Sequence, residues 1–227
     1  MILNRPPCTP WRAVSRQFEL DIPGISAQNR APAAHPRNIF TMLLNVRQYG
    51  DPVLRAVSAP VEKITDDLKN LVENMLETMY ATEGIGLAAP QVGVNMRLVV
   101  IDIPEDEEEE GAEPEMITVN GEQKPMRSIM PLVFVNPELE PYGKQYLFTE
   151  GCLSVRGIRA NVARPEFVKA RLTLLDGSTL ELDCGGLLAR CLQHECDHLD
   201  GYLYVDRVSS AAKITLAKKL KKLAASR

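Results

Sequence analysis

His194, Glu195 and His198 stand in an H-E-x-x-H run, His194-Glu195-Cys196-Asp197-His198, and that spacing states a chemistry. On a helix, two imidazoles four residues apart lie on one side, separated by about 6 Å along the axis, so both can grip one divalent ion. The carboxylate between them can then handle the protons of a water held there. The chain has three histidines and two of them are here; the third, His35, lies in a segment that does not read as part of the fold. The competing reading of the five-residue pattern is chance, with two buried rings satisfied by other polar groups.

Two imidazoles do not complete a hydrolytic metal site, which ordinarily has three protein ligands and one open position. No histidine follows His198, so the extended metalloprotease pattern with a third downstream histidine is ruled out. Among the cysteines, Cys152 is the best candidate for the third ligand, in Glu150-Gly151-Cys152-Leu153-Ser154, where a neighbouring glycine permits tight backbone geometry. Cys196 points away from the two-histidine face, Cys191 shares that face but sits nearly a turn before His194, and Cys184 precedes the helix. A buried cysteine is by default a small hydrophobe, so residue chemistry alone leaves the choice open.

The elements that must position these groups can be read from hydrophobic period. Leu68, Leu71, Val72, Met75, Leu76 and Met79 recur at helical spacing after Thr65, a suitable N-cap, and Asp66-Asp67 suit the positive end of the helix dipole. Gly84-Ile85-Gly86-Leu87-Ala88-Ala89-Pro90-Gln91-Val92-Gly93 is crowded with small residues and barred from helix by Pro90, which lets backbone approach something closely. Leu98–Ile101 and Leu132–Val135 read as strands, and Phe167–Leu174 and Thr179–Leu182 as a hairpin about Asp176-Gly177. Thr118–Glu122 can turn back a shorter hairpin at Asn120-Gly121. Gly185-Gly186 precedes the metal-motif helix and Gly201 is placed to end it. On that helix Leu187, Cys191, His194 and His198 share one face, with Leu188, Leu192 and Leu199 on a neighbouring stripe. Short connections and hairpin signals predict an α+β fold with mainly antiparallel sheet.

At 227 residues the chain fits one domain with appendages, large enough to bury a metal site. A net charge of −4 gives no global basic field for DNA. No apolar run approaches the roughly 20 residues of a membrane span. Five cysteines, odd in number and unevenly spaced, do not look like a disulfide framework, which favours a reducing, cytoplasmic setting. Residues 1–41 are proline- and arginine-rich without sustained period; the expectation is a disordered extension or a start codon assigned upstream of the true one, with Met42 as the alternative, rather than a transit peptide. Residues 42–209 then form the main folded domain. An acidic insertion is expected at about 104–131, where Glu105–Glu110 should be a solvated loop. Residues 210–227 form a basic helix, with Leu216, Leu220 and Leu223 against Lys213, Lys218, Lys219, Lys221 and Lys222.

Three runs in order, Gly84-Ile85-Gly86-Leu87-Ala88-Ala89-Pro90-Gln91, Glu150-Gly151-Cys152-Leu153-Ser154 and Gln193-His194-Glu195-Cys196-Asp197-His198, resemble the signature motifs of the peptide deformylases, over a stretch from about Met42 to the C-terminal helix. The resemblance implies that Cys152, His194 and His198 bind one divalent metal ion, ferrous iron by preference with zinc, nickel or cobalt as substitutes. It implies hydrolysis of the formyl group from N-formylmethionyl nascent peptides, with Glu195 moving the proton and the Gln91 side chain and Leu153 backbone N–H on the developing oxyanion. Ile85 and Gly86 would pair with the extended peptide, and Leu187 and Cys191, with His194, would line the methionine pocket. Arg190, one residue from that wall, is expected to lay its stem on the pocket and its charge in water. The resemblance also places antiparallel sheets around a central helix carrying the H-E-x-x-H run, and opens a ribosome contact for the basic C-terminal helix. Arg156 departs from it, standing where many relatives have proline. A metalloendopeptidase and a noncatalytic ribosome-binding protein are the rival functions. The missing downstream histidine and the presence of Cys152 argue against the first.

Overall fold

The computed structural model describes residues 42–104 and 115–225. The expectations for residues 1–41 and for Glu105–Glu110 lie outside these. Seven strands, β1 (Gly86–Ala88), β2 (Leu98–Ile101), β3 (Met116–Val119), β4 (Glu122–Pro125), β5 (Leu132–Cys152), β6 (Val155–Thr173) and β7 (Thr179–Cys184), join in one sheet ordered β1-β2-β5-β6-β7-β3-β4. Every pairing between neighbouring strands is antiparallel. Among the described residues three α-helices accompany them: α1 (Asp66–Ala81), α2 (Gly186–Leu199) and α3 (Ser210–Ala225). The architecture is the expected α+β.

Strand β2 explains how the sheet lies between two helices. Its four residues are all buried, and successive side chains of a strand point to opposite faces. Val99 and Ile101 join the cluster containing Leu188, Leu192 and Leu199 of α2. Leu98 and Val100 join the cluster containing Leu68, Val72, Met75 and Met79 of α1. A short, uniformly apolar run is therefore a strand covered on both sides.

The helices begin and end where local chemistry dictates. Thr65 caps α1, its hydroxyl accepting from the Leu68 N–H at 3.3 Å. Helix α2 stops at Asp200, and Gly201 follows with φ of 77°. A Cβ at Gly201 would lie 2.6 Å from the Arg55 carbonyl oxygen, so both backbone angle and space require glycine. The 118–122 hairpin forms as β3–β4, with Asn120 and Gly121 both at positive φ. The stretch expected as an insertion at about 104–131 thus contributes two strands to the sheet as well as its acidic run.

The largest departure from expectation is the β5–β6 hairpin. Strand character was visible only at Leu132–Val135 and from Phe167 onward, yet the pairing runs from Val135↔Thr173 to Cys152↔Val155. Pro137, Pro141, Gly143 and Pro165 fall inside it, and residues 140–148 are exposed, so no inward–outward alternation announces it. Register shifts at Val135/Glu138, Tyr142/Gln145 and Gly151/Cys152 accommodate the irregular residues. The last shift lies beside Cys152 at the hairpin tip, where a bulge re-aims a side chain.

Asn136 sits at the first of these shifts with φ of 48°, a conformation asparagine tolerates better than most residues. Its side-chain amide brackets Val61, accepting from the Val61 N–H and donating to the Val61 carbonyl, each at 2.8 Å. Asn136→Ala removes both bonds and is expected to cost about 2 kcal/mol at roughly 1 kcal/mol per bond. Chemical denaturation checks this; a loss under about 0.5 kcal/mol, the scale of an inert surface change, would mean that the loop holds itself in place.

Candidate metal centre

Helix α2 is buried along nearly its whole length, every residue from Leu188 to Leu199 included. Six of those twelve positions are polar or charged: Arg190, Gln193, His194, Glu195, Asp197 and His198. Burial of so many polar groups is costly unless each is hydrogen-bonded or paired, so their partners define what the helix is for.

His194 and His198 turn toward the tip of the β5–β6 hairpin. Cys152, fully buried, brings its Sγ to 3.3 Å from His198 Nε2. The ligand atoms of Cys152, His194 and His198 all lie within 4.8 Å of one another. The two imidazoles meet edge to face at 5.1 Å between centroids. Tyr204 stacks on His194 at 6.0 Å between centroids and donates its hydroxyl to the Ile158 carbonyl at 2.8 Å. His194 Nε2 is buried with no hydrogen-bond partner among the described residues. A buried ring nitrogen beside a thiol and a second imidazole is a donor set that a divalent cation fits.

The other ring nitrogen of His194 is firmly held. His194 Nδ1 and Glu150 Oε2 are 2.9 Å apart. Glu150 is fully buried, and Arg164 grips it through Nε at 2.7 Å and Nη2 at 3.1 Å. The Arg164 guanidinium also reaches Asp197 Oδ2 at 2.8 Å, and Arg207 closes on the same carboxylate. Burial works to raise the Glu150 pKa, but the bonds from His194 and Arg164 outweigh it and hold the carboxyl well below the usual range. Burial likewise lowers the His194 pKa, and Cys152 and Glu150 reverse this and raise it to about 9. His198 stays neutral, its pKa held well below the ordinary imidazole value by burial and by neighbouring His194. A cation entering the cluster competes with the proton on His194.

The remaining candidate residues fall around this cluster. Gly86 faces Glu195: a Cβ there would lie 2.5 Å from Glu195 Oε1 and 2.9 Å from Cys191 Sγ, so any side chain displaces the carboxylate. Gln91 is fully buried; its Oε1 accepts from the Ala88 N–H at 2.8 Å, which turns the amide nitrogen to Cys152 Sγ at 3.4 Å and Ser154 Oγ at 3.3 Å. Leu153 and Ser154 form the hairpin turn after Cys152, and the Leu153 carbonyl accepts from Gln48 Nε2 at 3.1 Å. Ile85 offers its carbonyl to the Asp102 N–H at 3.0 Å. Leu187 is half-buried against the core of α2. The Cys191 thiol lies 3.8 Å from the Ile85 carbonyl, and burial pushes its pKa far up. Cys196 is pushed up in the same way, and Cys184 to about 12, so these three thiols are protonated.

Arg190 corrects the sequence reading. Its charge does not reach water: only 5% exposed, it donates to Glu150 Oε1 at 2.8 Å, to the Val162 carbonyl at 3.1 Å and to the Tyr146 carbonyl at 2.7 Å. Strand β5 covers the edge of α2 where solvent was expected. Sequence reasoning also passed over Glu150, Arg164, Asp197 and Arg207. One signal was available: Glu150 is two residues before Cys152 in a strand and so shares its face.

Fold and site together bring a hairpin cysteine and the two histidines of an H-E-x-x-H helix into a cluster that could hold a metal ion. Residues 43–213 match the family model for polypeptide deformylase. A peptide deformylase of Stutzerimonas stutzeri is 43% identical over 182 residues, covering 80% of this chain and 96% of that protein. One of Novosphingobium aromaticivorans is 48% identical over 176 residues, covering 76% and 93%. The crystal structure of a peptide deformylase from Synechococcus elongatus in complex with actinonin superposes with a TM-score of 0.65 at 36% identity, covering 84% of this chain and 94% of that one. The chain belongs to the polypeptide deformylase family. Members of this family remove the formyl group from the N-terminal methionine of nascent polypeptides, with a single divalent metal ion.

Arg164→Met leaves Glu150 and Asp197 with fewer buried partners and is expected to lower stability by about 3–5 kcal/mol in denaturant titrations; a change below about 1 kcal/mol would show the pair to be compensated elsewhere. Since the folded Glu150 pKa is depressed, its pairing stabilises fully above the unfolded value of about 4.3, and that contribution is lost as pH falls through the folded pKa. Wild-type stability should therefore drop on acidification below that value more steeply than that of Glu150→Gln. Parallel pH profiles for the two proteins would contradict the assignment.

Proposed function

We propose that Cys152, His194 and His198 hold one divalent ion, ferrous iron by preference with zinc, nickel or cobalt able to substitute, and that Glu195 is the acid–base residue of formyl hydrolysis. The observation that carries this reading is the convergence of one thiol and two imidazoles within 4.8 Å, with a buried carboxylate on the intervening helix position. A thiolate and two imidazoles suit several first-row metals. The bound ion supplies Lewis-acid polarisation of the formyl oxygen and a lowered pKa for the attacking water.

The chain's own groups do the rest. Glu195 takes the proton of the attacking water and passes it to the amine as the C–N bond breaks, giving formate and a free α-amine. The Gln91 amide, fixed in orientation by the Ala88 N–H, presents its N–H donors toward Cys152, and the Leu153 N–H joins it on the developing oxyanion. Strand β1 is at the edge of the sheet, so an extended peptide can add to it by backbone pairing at Ile85 and Gly86. Leu187 and Cys191, beside His194, form the methionine pocket, and the sheet wraps α2 as the central helix. Residues 42–209 are the catalytic domain. The five lysines of α3 face solvent while Leu216 packs inward, which suits contact with a ribosomal RNA surface in a bacterial-type cytoplasm.

Formate release from a formyl-Met peptide tests the activity against the endopeptidase reading; cleavage of internal peptide bonds without formate release would refute it. Glu195→Gln is expected to reduce kcat by at least about 100-fold with metal content unchanged, and Gln91→Ala by about 100-fold. Full activity in Glu195→Gln would remove that residue from the chemistry. Chelation should abolish turnover, and readdition of divalent metal should restore it.

A further inference from the structure

We propose that Arg190 is a positioning residue for the His194 imidazole, acting through Glu150. The inference rests on the reading that Cys152, His194 and His198 hold the ion. Nothing in the H-E-x-x-H chemistry calls for an arginine one turn before the first histidine, and this one is almost wholly buried.

An ionised carboxylate has about four acceptor sites. On Glu150, Oε1 accepts from Arg164 Nε at 2.7 Å and Arg190 Nη1 at 2.8 Å. Oε2 accepts from Arg164 Nη2 at 3.1 Å and lies 2.9 Å from His194 Nδ1. All four sites are used, so the carboxylate has one orientation and His194 Nδ1 one place to donate its proton. Nε2 is thereby left as the lone pair facing Cys152. Arg164 holds both oxygens through Nε and Nη2 and gives Nη1 to Asp197; Arg190 adds the second donor on Oε1, and without it that oxygen is held on one side only and the carboxylate gains freedom to tilt, carrying the ring with it.

Arg190 is itself braced. It holds the Tyr146 and Val162 carbonyls, and its guanidinium carbon lies 5.8 Å from the Tyr146 ring and 5.4 Å from the Phe148 ring. Pairing of β5 with β6 is unshifted from Gln145 to Gly151, so Tyr146, Phe148 and Glu150 share one strand face by alternation. Arg190 therefore ties that run of β5 to α2 at the point where the strand delivers Glu150. It touches no reacting atom. Its effect is to fix the angle at which His194 meets the ion. Carboxylates behind ligating histidines act in this way, and their loss typically lowers metal affinity by roughly 10- to 100-fold.

The test is dissociation of zinc from loaded full-length enzyme into a chromogenic chelator, with thermal unfolding of the metal-free proteins and the visible bands of the cobalt-substituted enzymes measured alongside. Arg190→Met keeps the stem and removes the donors. It should release zinc roughly 10- to 100-fold faster than wild type and shift the cobalt bands, while Arg190→Lys, with one ammonium for three acceptors, falls between. A merely structural arginine would lower the unfolding temperature and leave the zinc release rate of the folded protein and the cobalt bands unchanged, which overturns the proposal, as does slower release. If Arg190→Met gives no folded protein, Arg190→Lys decides alone: severalfold faster release supports the role and an unchanged rate overturns it. Wild-type enzyme that takes up no zinc overturns the ligand reading and this inference together, whereas zinc uptake by wild type with equal release from the variants overturns only the role of Arg190.

Discussion

One carboxylate joins the two pieces of chain that make the site. Cys152 arrives on a hairpin and the histidines on a helix, and nothing local to either piece fixes their separation. Glu150 does so: from the hairpin it reaches His194 on α2, and Arg164 on the opposite strand binds both Glu150 and Asp197. The sheet is closed against the helix by ionic bonds rather than apolar contact at this point. Buried ion pairs are not efficient stabilisers, since desolvation consumes much of their attraction. Their use here buys direction, because a charged, fully hydrogen-bonded carboxylate has far fewer orientations than a leucine.

The same constraint accounts for the small residues around the cluster. Glu195 occupies the space in front of Gly86, so strand β1 contributes no side chain of its own at this approach to α2. Gln91 reaches the thiol because its amide oxygen is captured three residues back by the Ala88 N–H. The tight Gly84–Gln91 run and the H-E-x-x-H helix are thus two sides of one close approach.

Much of this was legible in the sequence where the signal was local. The cap at Thr65, the stop at Gly201, the two short turns and the apolar strand at Leu98–Ile101 each depend on a few adjacent residues, and each is found as read. The β5–β6 hairpin was visible only at its ends, since its middle is exposed and interrupted by Pro137, Pro141 and Pro165 and its pairing spans positions far apart in the chain. The site residues divide in the same way. His194, His198 and Glu195 declare themselves by spacing. Cys152 needed the family resemblance to single it out among the cysteines. Arg164 and Asp197 carry no local sign, because what makes them partners is a strand register and a helix face meeting at Glu150. Arg190 was read as reaching water because the covering strand comes from 44 residues away.

The central claim is that the sulfur of residue 152 and the imidazoles of residues 194 and 198 share one ion. X-ray absorption at the zinc edge of the reconstituted enzyme measures this directly. The account predicts one sulfur scatterer near about 2.3 Å and two imidazole nitrogens near about 2.0–2.1 Å, with the sulfur shell lost in Cys152→Ala. A metal shell without sulfur in the wild-type enzyme, or one unchanged by Cys152→Ala, would contradict it.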